Sequence, residues 1–191
     1  MKYRYTDREL ETIIESIVCL CDTREQKNQH ILTWLDKFEH KSGAVGIKYR
    51  KKTLKSGDYS FIVTRNPDLG IMGDIYFDNQ FIIERKKDLD ELSGNLTTNR
   101  ERFANEFNRH PSKRFHLIVE GGSYNDIYEH RYGFHNSRGG IRPNVYMANL
   151  LAFQSRYNIN AYFVSKKHSP ELLWGLIRNY ALRYFEDEGG G

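Results

Sequence analysis

Four short clusters hold the residues able to do chemistry: Asp22-Thr23-Arg24-Glu25, Gly57-Asp58-Tyr59, Glu84-Arg85-Lys86 followed by Asp90, and Glu120-Gly121-Gly122. The third is the most informative. It ends the apolar run Phe81-Ile82-Ile83, and along a strand residues i and i+2 leave the same face, so Glu84 and Lys86 stand side by side. A carboxylate and an ammonium at a strand end, with a second carboxylate (Asp58) from a neighbouring strand, suit a hard cation. The acids would hold Mg²⁺ or Mn²⁺ while Lys86 positions or deprotonates an attacking water. Taken singly, each cluster also has a plain structural reading, the Glu-Arg-Lys as a surface ion pair and the Gly-Asp as a turn.

The elements that must position these residues follow from the hydrophobic pattern. Thr6 with Glu9 three residues on is a capping-box signal for a helix to Ser16, with Leu10, Ile13, Ile14 and Ile17 at helical spacing. Ile17 to Cys21 reads as a buried strand and Gln29 to Phe38 as a helix. Strands are expected at Val45–Leu54, Tyr59–Thr64, Ile75–Phe77 and Phe81–Glu84, separated by Gly, Pro, Asn and Asp turns. Asp88 to Asn108 predicts one long helix interrupted near Gly94. Phe115–Glu120 predicts a strand, Arg142-Pro143 opens a helix to about Tyr157, Ala161–Ser165 predicts a strand, and Ser169-Pro170 opens a last helix. Arg131 to Gly140 reads as an exposed, flexible loop. The alternation of helices and strands predicts a mixed α/β, three-layer fold.

A chain of 191 residues suits one ordinary domain. The expected division is a helical extension over 1–16, a core domain over 17–187 and a flexible tail over 188–191. No apolar run approaches the ~20 residues of a membrane span, and the N-terminus lacks a secretory h-region, so membrane and secreted readings are set aside. Cys19 and Cys21, two apart on a strand, sit too far from one another for an unstrained bridge and read as reduced core residues. Lys41 to Pro67 holds seven basic residues against Asp58 alone, and His130 to His168 holds six against no acid. Segregation of this kind can attract a phosphate backbone, or simply make a solvated basic face.

In this order the four clusters resemble the nuclease domain of the XPF family of structure-specific endonucleases, which includes archaeal Hef. That pattern is D-x-R-E, then G-D-Y, then E-R-K-x-x-x-D, then an apolar strand ending in E-G, and the likeness runs from about Val18 to Tyr184. It implies a restriction-endonuclease-like PD-(D/E)xK α/β core with a mixed central sheet. The implied activity is Mg²⁺- or Mn²⁺-dependent hydrolysis of DNA at branches or flaps, in recombination, repair or replication. Carried over, Asp58 and Glu84 are the principal metal ligands, Asp22 a further acid at the metal, and Lys86 the catalytic lysine. Arg85 orients substrate or the carboxylates, Arg24 and Glu25 line the cleft, and Asp90 supports the site from the next helix.

The sequence departs from the pattern in three ways. Asp58 and Glu84 lie 26 positions apart, and a second Gly-Asp, Gly73-Asp74, falls between them, so Asp74 rivals Asp58 as ligand. The Gly-Arg expected after the Glu-Arg-Lys helix is replaced by Asn99-Arg100-Glu101-Arg102-Phe103, leaving Arg100 or Arg102 as the phosphate contact. No tandem helix-hairpin-helix module is expected, and on that expectation Arg131, Arg138 and Arg142 become the candidate DNA grip, with His130, Tyr132, Phe134 and His135 beside them. Phe103, Phe107, Phe115 and Phe153 are expected in the core. The stripe Leu172-Leu173-Leu176-Ile177-Tyr180-Leu182 serves either a homodimer or its own sheet. A cytoplasmic protein of bacterial or phage-type source is expected, nuclear if eukaryotic. The rival functions are an unselective PD-(D/E)xK nuclease and a catalytically silent DNA-binding or dimer-partner module.

Overall fold

The capping box forms as the sequence requires. The Thr6 hydroxyl accepts from the Glu9 N–H and the Glu9 carboxylate accepts from the Thr6 N–H, starting α1 (Asp7–Glu15). The computed structural model describes residues 5–109, 114–133 and 140–188. After α1 come β1 (Ile17–Asp22), α2 (Gln29–Lys37), β2 (Lys48–Lys52), β3 (Tyr59–Val63), a 3₁₀ turn at Pro67–Leu69, β4 (Ile75–Tyr76) and β5 (Phe81–Lys86). There follow α3 (Leu89–Leu96), α4 (Arg100–Asn108), β6 (Arg114–Glu120), α5 (Tyr124–Tyr128), α6 (Pro143–Tyr157), β7 (Ile159–Val164) and α7 (Ser169–Glu188).

The chain forms two compact units. One comprises residues 1–54, 59–78 and 170–191, the other residues 55–58 and 79–169. In the first, β1 pairs parallel with β2 and antiparallel with β3, and β3 pairs antiparallel with β4, giving a mixed sheet. Val18, Leu20, Leu54 and Ile62 share a core cluster. Helix α7 adds aromatic contacts within this unit: Tyr180 meets Phe61 edge-on at 6.1 Å, and Trp174 meets Phe38 at 5.6 Å. Leu173 and Ile177, from the apolar stripe, are buried, while Leu172, Leu176, Tyr180 and Leu182 are half-buried. Cys19 and Cys21 are buried free thiols.

In the second unit β5, β6 and β7 are all parallel, joined by helices as parallel pairing demands. Phe103, Phe107, Phe115 and Phe153 are core, as expected from their spacing, and Leu89, Leu92, Leu117 and Leu150 belong to the same cluster.

Several boundaries differ from expectation, each for a local reason. The expected strand over 45–54 shrinks to Lys48–Lys52, because Val45 is spent on an isolated bridge to Glu39. The long helix breaks at Thr97–Asn99 rather than at Gly94. The Thr97 backbone leaves helical geometry (φ −124°, ψ −91°) and the Asn99 N–H turns back to the Gly94 carbonyl. Helix α5 is a short element that apolar periodicity does not announce; Ser123 caps it by accepting from the Asp126 N–H. The strand after α6 begins at Ile159 because Asn158 closes the helix in the left-handed conformation (φ 51°), which asparagine tolerates.

His116 on β6 illustrates a buried group used in packing. Its ring stands 4.9 Å from that of Phe81 and stacks on Tyr162 at 5.8 Å. Burial, with the charge of Arg114 behind it, pushes its pKa down to about 4. The unfolded chain therefore binds this proton first, and stability present above pH ~6.5 is lost as pH falls toward 4, by up to about 3 kcal/mol. Denaturant unfolding across that window should show the loss, and His116→Gln should flatten it. An unchanged slope in the variant would show that other groups drive acid unfolding.

Candidate active site

Glu84, Arg85 and Lys86 form the last half of β5, one strand turn beyond the expected end, and all three are buried. Alternation sends Glu84 and Lys86 to one face and Arg85 to the other. On the first face Lys86 Nζ lies 2.6 Å from Glu84 Oε1 and 4.0 Å from Glu91 Oε1, and 5.1 Å from the centre of the Phe103 ring. Burial works against the charge on Lys86, but the adjacent Glu84, with Asp58 and Glu91 behind it, outweighs that cost. The Lys86 pKa stands above that of an ordinary lysine, and it is an ammonium at neutral pH.

Asp58 reaches this face through a backbone clasp. Its N–H donates to the Ile83 carbonyl at 2.9 Å, and its Oδ2 accepts from the Arg85 N–H at 2.8 Å. The clasp brings residue 57 so close to β5 that a Cβ there would fall 2.2 Å from Ile82 Cγ2, and its φ is +69°. Only glycine meets both conditions, which is why the cluster reads Gly-Asp. Asp74, the rival, belongs to the other unit, where it is exposed and its carboxylate accepts from the Arg65 N–H.

Glu106 on α4 is a functional candidate that sequence reasoning missed. Burial, then the neighbouring Glu84 charge, raises its pKa, while Lys86, Arg102 and Arg109 pull the other way. It sits three residues after Phe103, and so on the helix face that meets Lys86. That spacing is the one signal in the sequence that could have found it.

The opposite face of β5 carries a buried ion pair. Arg85 Nη1 donates to Glu120 Oε2 at 2.7 Å, and Glu120 Oε1 accepts from the Ser169 hydroxyl. The register explains the match: Arg85 pairs with Ile118, and Glu120, two residues further along β6, points the same way. Gly122 follows because a Cβ there would meet the Leu89 side chain at 2.5 Å. Arg85 is thus paired with Glu120, and Ser169 is a second residue the sequence did not single out.

Asp22 lies in the other unit with both oxygens engaged. Oδ1 accepts from the Arg24 N–H and Nε, each at 2.7 Å; Oδ2 accepts from Arg24 Nη2 at 3.0 Å and from the Leu54 N–H at 2.7 Å. Burial opposes its ionisation, but these donors prevail and hold its pKa below the usual carboxylate value. Glu25 accepts from the Lys27 N–H. Asp90, in the first turn of α3, accepts from the Gly133 N–H and so anchors the start of the Arg131–Gly140 segment.

Among the basic candidates, Arg100 and Arg102 are both exposed on α4, and Arg142 is exposed at the start of α6. Arg131 is paired with Asp126 at 3.5 Å and with Glu129. Tyr132, expected on an exposed loop, is buried instead. Its hydroxyl donates to the Ile141 carbonyl at 2.7 Å and its ring packs on Tyr146, so it is core and offers no face to a base. Phe134, His135 and Arg138 lie outside the described residues.

An ammonium held against a carboxylate, with a phenyl ring beside it, makes a charged, largely buried site at a strand end. Residues 21–173 match the ERCC4 domain, and the chain belongs to that family. Two solved structures share its α/β fold with a mixed sheet. XPF from Aeropyrum pernix superposes with a TM-score of 0.51 at 21% identity, over 85% of this chain and 61% of that one. XPF from Aeropyrum pernix in complex with DNA gives 0.55 at 20% identity, over 87% and 65%. The chain thus spans under two thirds of the length of those structures. Comparison with curated proteins finds no match. Among the described residues no helix is long and apolar enough to cross a membrane.

Proposed function

We propose that this chain is a Mg²⁺- or Mn²⁺-dependent endonuclease that hydrolyses phosphodiester bonds of DNA near branches or flaps, with recombination, repair or replication as its setting. One observation carries the reading: the Lys86 ammonium 2.6 Å from Glu84, with the Asp58 carboxylate clasped to the same strand end. The donor set fits the ion. Among the described residues no three His, Cys, Asp or Glu side chains are gathered into a cage. Mg²⁺, however, is ordinarily held by one or two carboxylates, with water and substrate phosphate completing the shell.

Asp58 and Glu84 are the ligands of this proposal, and Glu106 is a carboxylate whose ionisation the Glu84 charge opposes. The bound ion would supply Lewis-acid polarisation of the phosphate and a more acidic water. Lys86, kept charged by its neighbours, holds the attacking water and offsets the negative charge that builds on the phosphoryl oxygens. Asp22 acts at one remove, fixing Arg24 at the surface as a phosphate contact, and Asp90 holds the segment after α5. Arg85 with Glu120 keeps β5 and β6 in register beneath the site.

The test is cleavage of end-labelled 3′-flap, splayed-arm, duplex and single-stranded DNA in Mn²⁺. Cutting close to the branch is expected. Equal cutting of all four substrates would replace this reading with an unselective nuclease. Binding without cutting would replace it with a silent DNA-binding or dimer-partner module.

A further inference from the structure

On the second unit, helices α4 and α6 enclose a cleft of about 360 Å³ lined by Arg100, Ala104, Ala152, Phe153, Arg156 and Tyr157. Its volume falls in the range of small-ligand sites. The lining has a definite chemistry. Two guanidiniums stand at its sides with no acid among the lining residues, and Ala104 and Ala152 leave room between the helices. The aromatic floor is fixed from below: Tyr157 stacks on Phe107 at 5.2 Å and Phe153 on Phe103 at 5.4 Å. Arg100 is held over the Phe153 ring at 5.3 Å and donates to Asn149 Oδ1. One cation is therefore already oriented, and a flat apolar surface lies beside it.

We infer that this cleft is a nucleotide subsite for single-stranded DNA, with Arg100 and Arg156 on the phosphates and a base against Tyr157. Guanidinium forks match phosphate oxygens, and an immobilised aromatic beside them offers a base a stacking surface that does not depend on its identity. An acidic peptide would find the two charges but would have no use for the ring. The inference extends the proposed nuclease function by naming where an unpaired strand is held, and it rests on that reading only for its biological sense.

The experiment measures binding of a fluorescein-labelled oligo-dT of about eight nucleotides by anisotropy, in EDTA so that no cutting occurs, over a series of salt concentrations. Arg100→Gln and Arg156→Gln should each weaken binding about tenfold and reduce the salt slope by about one, as loss of a phosphate contact does. An abasic strand of equal length should bind wild type more weakly than oligo-dT. Unchanged affinity in the double variant, equal binding of the abasic strand, no oligo-dT binding by wild type, or displacement by a phosphopeptide would each overturn the subsite. Both arginines are exposed, so thermal unfolding should confirm that the variants fold. Cleavage of the flap substrate separates the two readings: activity kept with the subsite variants binding normally sinks only the subsite, whereas oligo-dT binding without any cleavage sinks only the nuclease.

Discussion

Glu84→Gln should lower DNA cleavage by at least about a hundredfold, the scale on which one preorganised charge at a reacting centre matters. Glutamine keeps the size of the side chain and can still accept from Lys86, so the fold should survive. What it removes is one of the two proposed anionic donors to the ion and the charge that faces Lys86 at 2.6 Å. Lys86→Met should give a comparable loss of rate by a different route. It removes the cation beside the phosphate and leaves Asp58 and Glu84 in place. Mn²⁺ titration tells the two apart: Glu84→Gln should require more metal, whereas Lys86→Met should bind metal at least as well as wild type. DNA binding by either variant should stay within about threefold, since neither residue is on the exposed surface. Cleavage by Glu84→Gln close to the wild-type rate would remove Glu84 from the mechanism.

Glu120→Ala should cost about 3–5 kcal/mol of stability, the usual penalty for leaving one member of a buried ion pair alone. The side chains of Arg85 and Glu120 are 6% and 1% exposed, so water cannot replace the missing carboxylate. For a chain of this length the loss corresponds to a fall in Tm of roughly 10 °C. The double variant Arg85→Met, Glu120→Leu should recover much of it, because apolar side chains of similar volume tolerate the site that a lone guanidinium does not. Thermal unfolding of the three proteins is the measurement. A Glu120→Ala variant as stable as wild type would show that Arg85 finds solvent or another partner, and that the pair is not what holds β5 to β6.

Much of the framework was legible in local sequence. The capping box at Thr6, the apolar run of β1 and the phenylalanine spacing along α4 and α6 all express short-range rules, a cap or a periodicity, that need no distant partner. The Gly57-Asp58 and Glu84-Arg85-Lys86 clusters were equally legible, because strand alternation alone sets Glu84 and Lys86 on one face. The missed features are those in which a distant segment decides. Tyr132 has the neighbours of a loop residue, yet it is buried because the Ile141 carbonyl takes its hydroxyl and Tyr146 covers its ring. Helix α5 carries too few apolar residues to show a period.

What the sequence by itself determined is the identity of the reactive groups and the local geometry of each cluster: which acids exist, which glycines must bend, and which side chains share a strand face. Only the tertiary structure decided how those groups are used. It engaged Asp22 with Arg24 and Leu54, matched Arg85 to Glu120 through the β5–β6 register, brought Glu106 under the influence of the Glu84 charge, and set Asp58 rather than Asp74 against β5. The physical reason is that the charge state and contacts of a buried ionisable group depend on everything within a few ångströms, and those neighbours come from segments tens of residues apart.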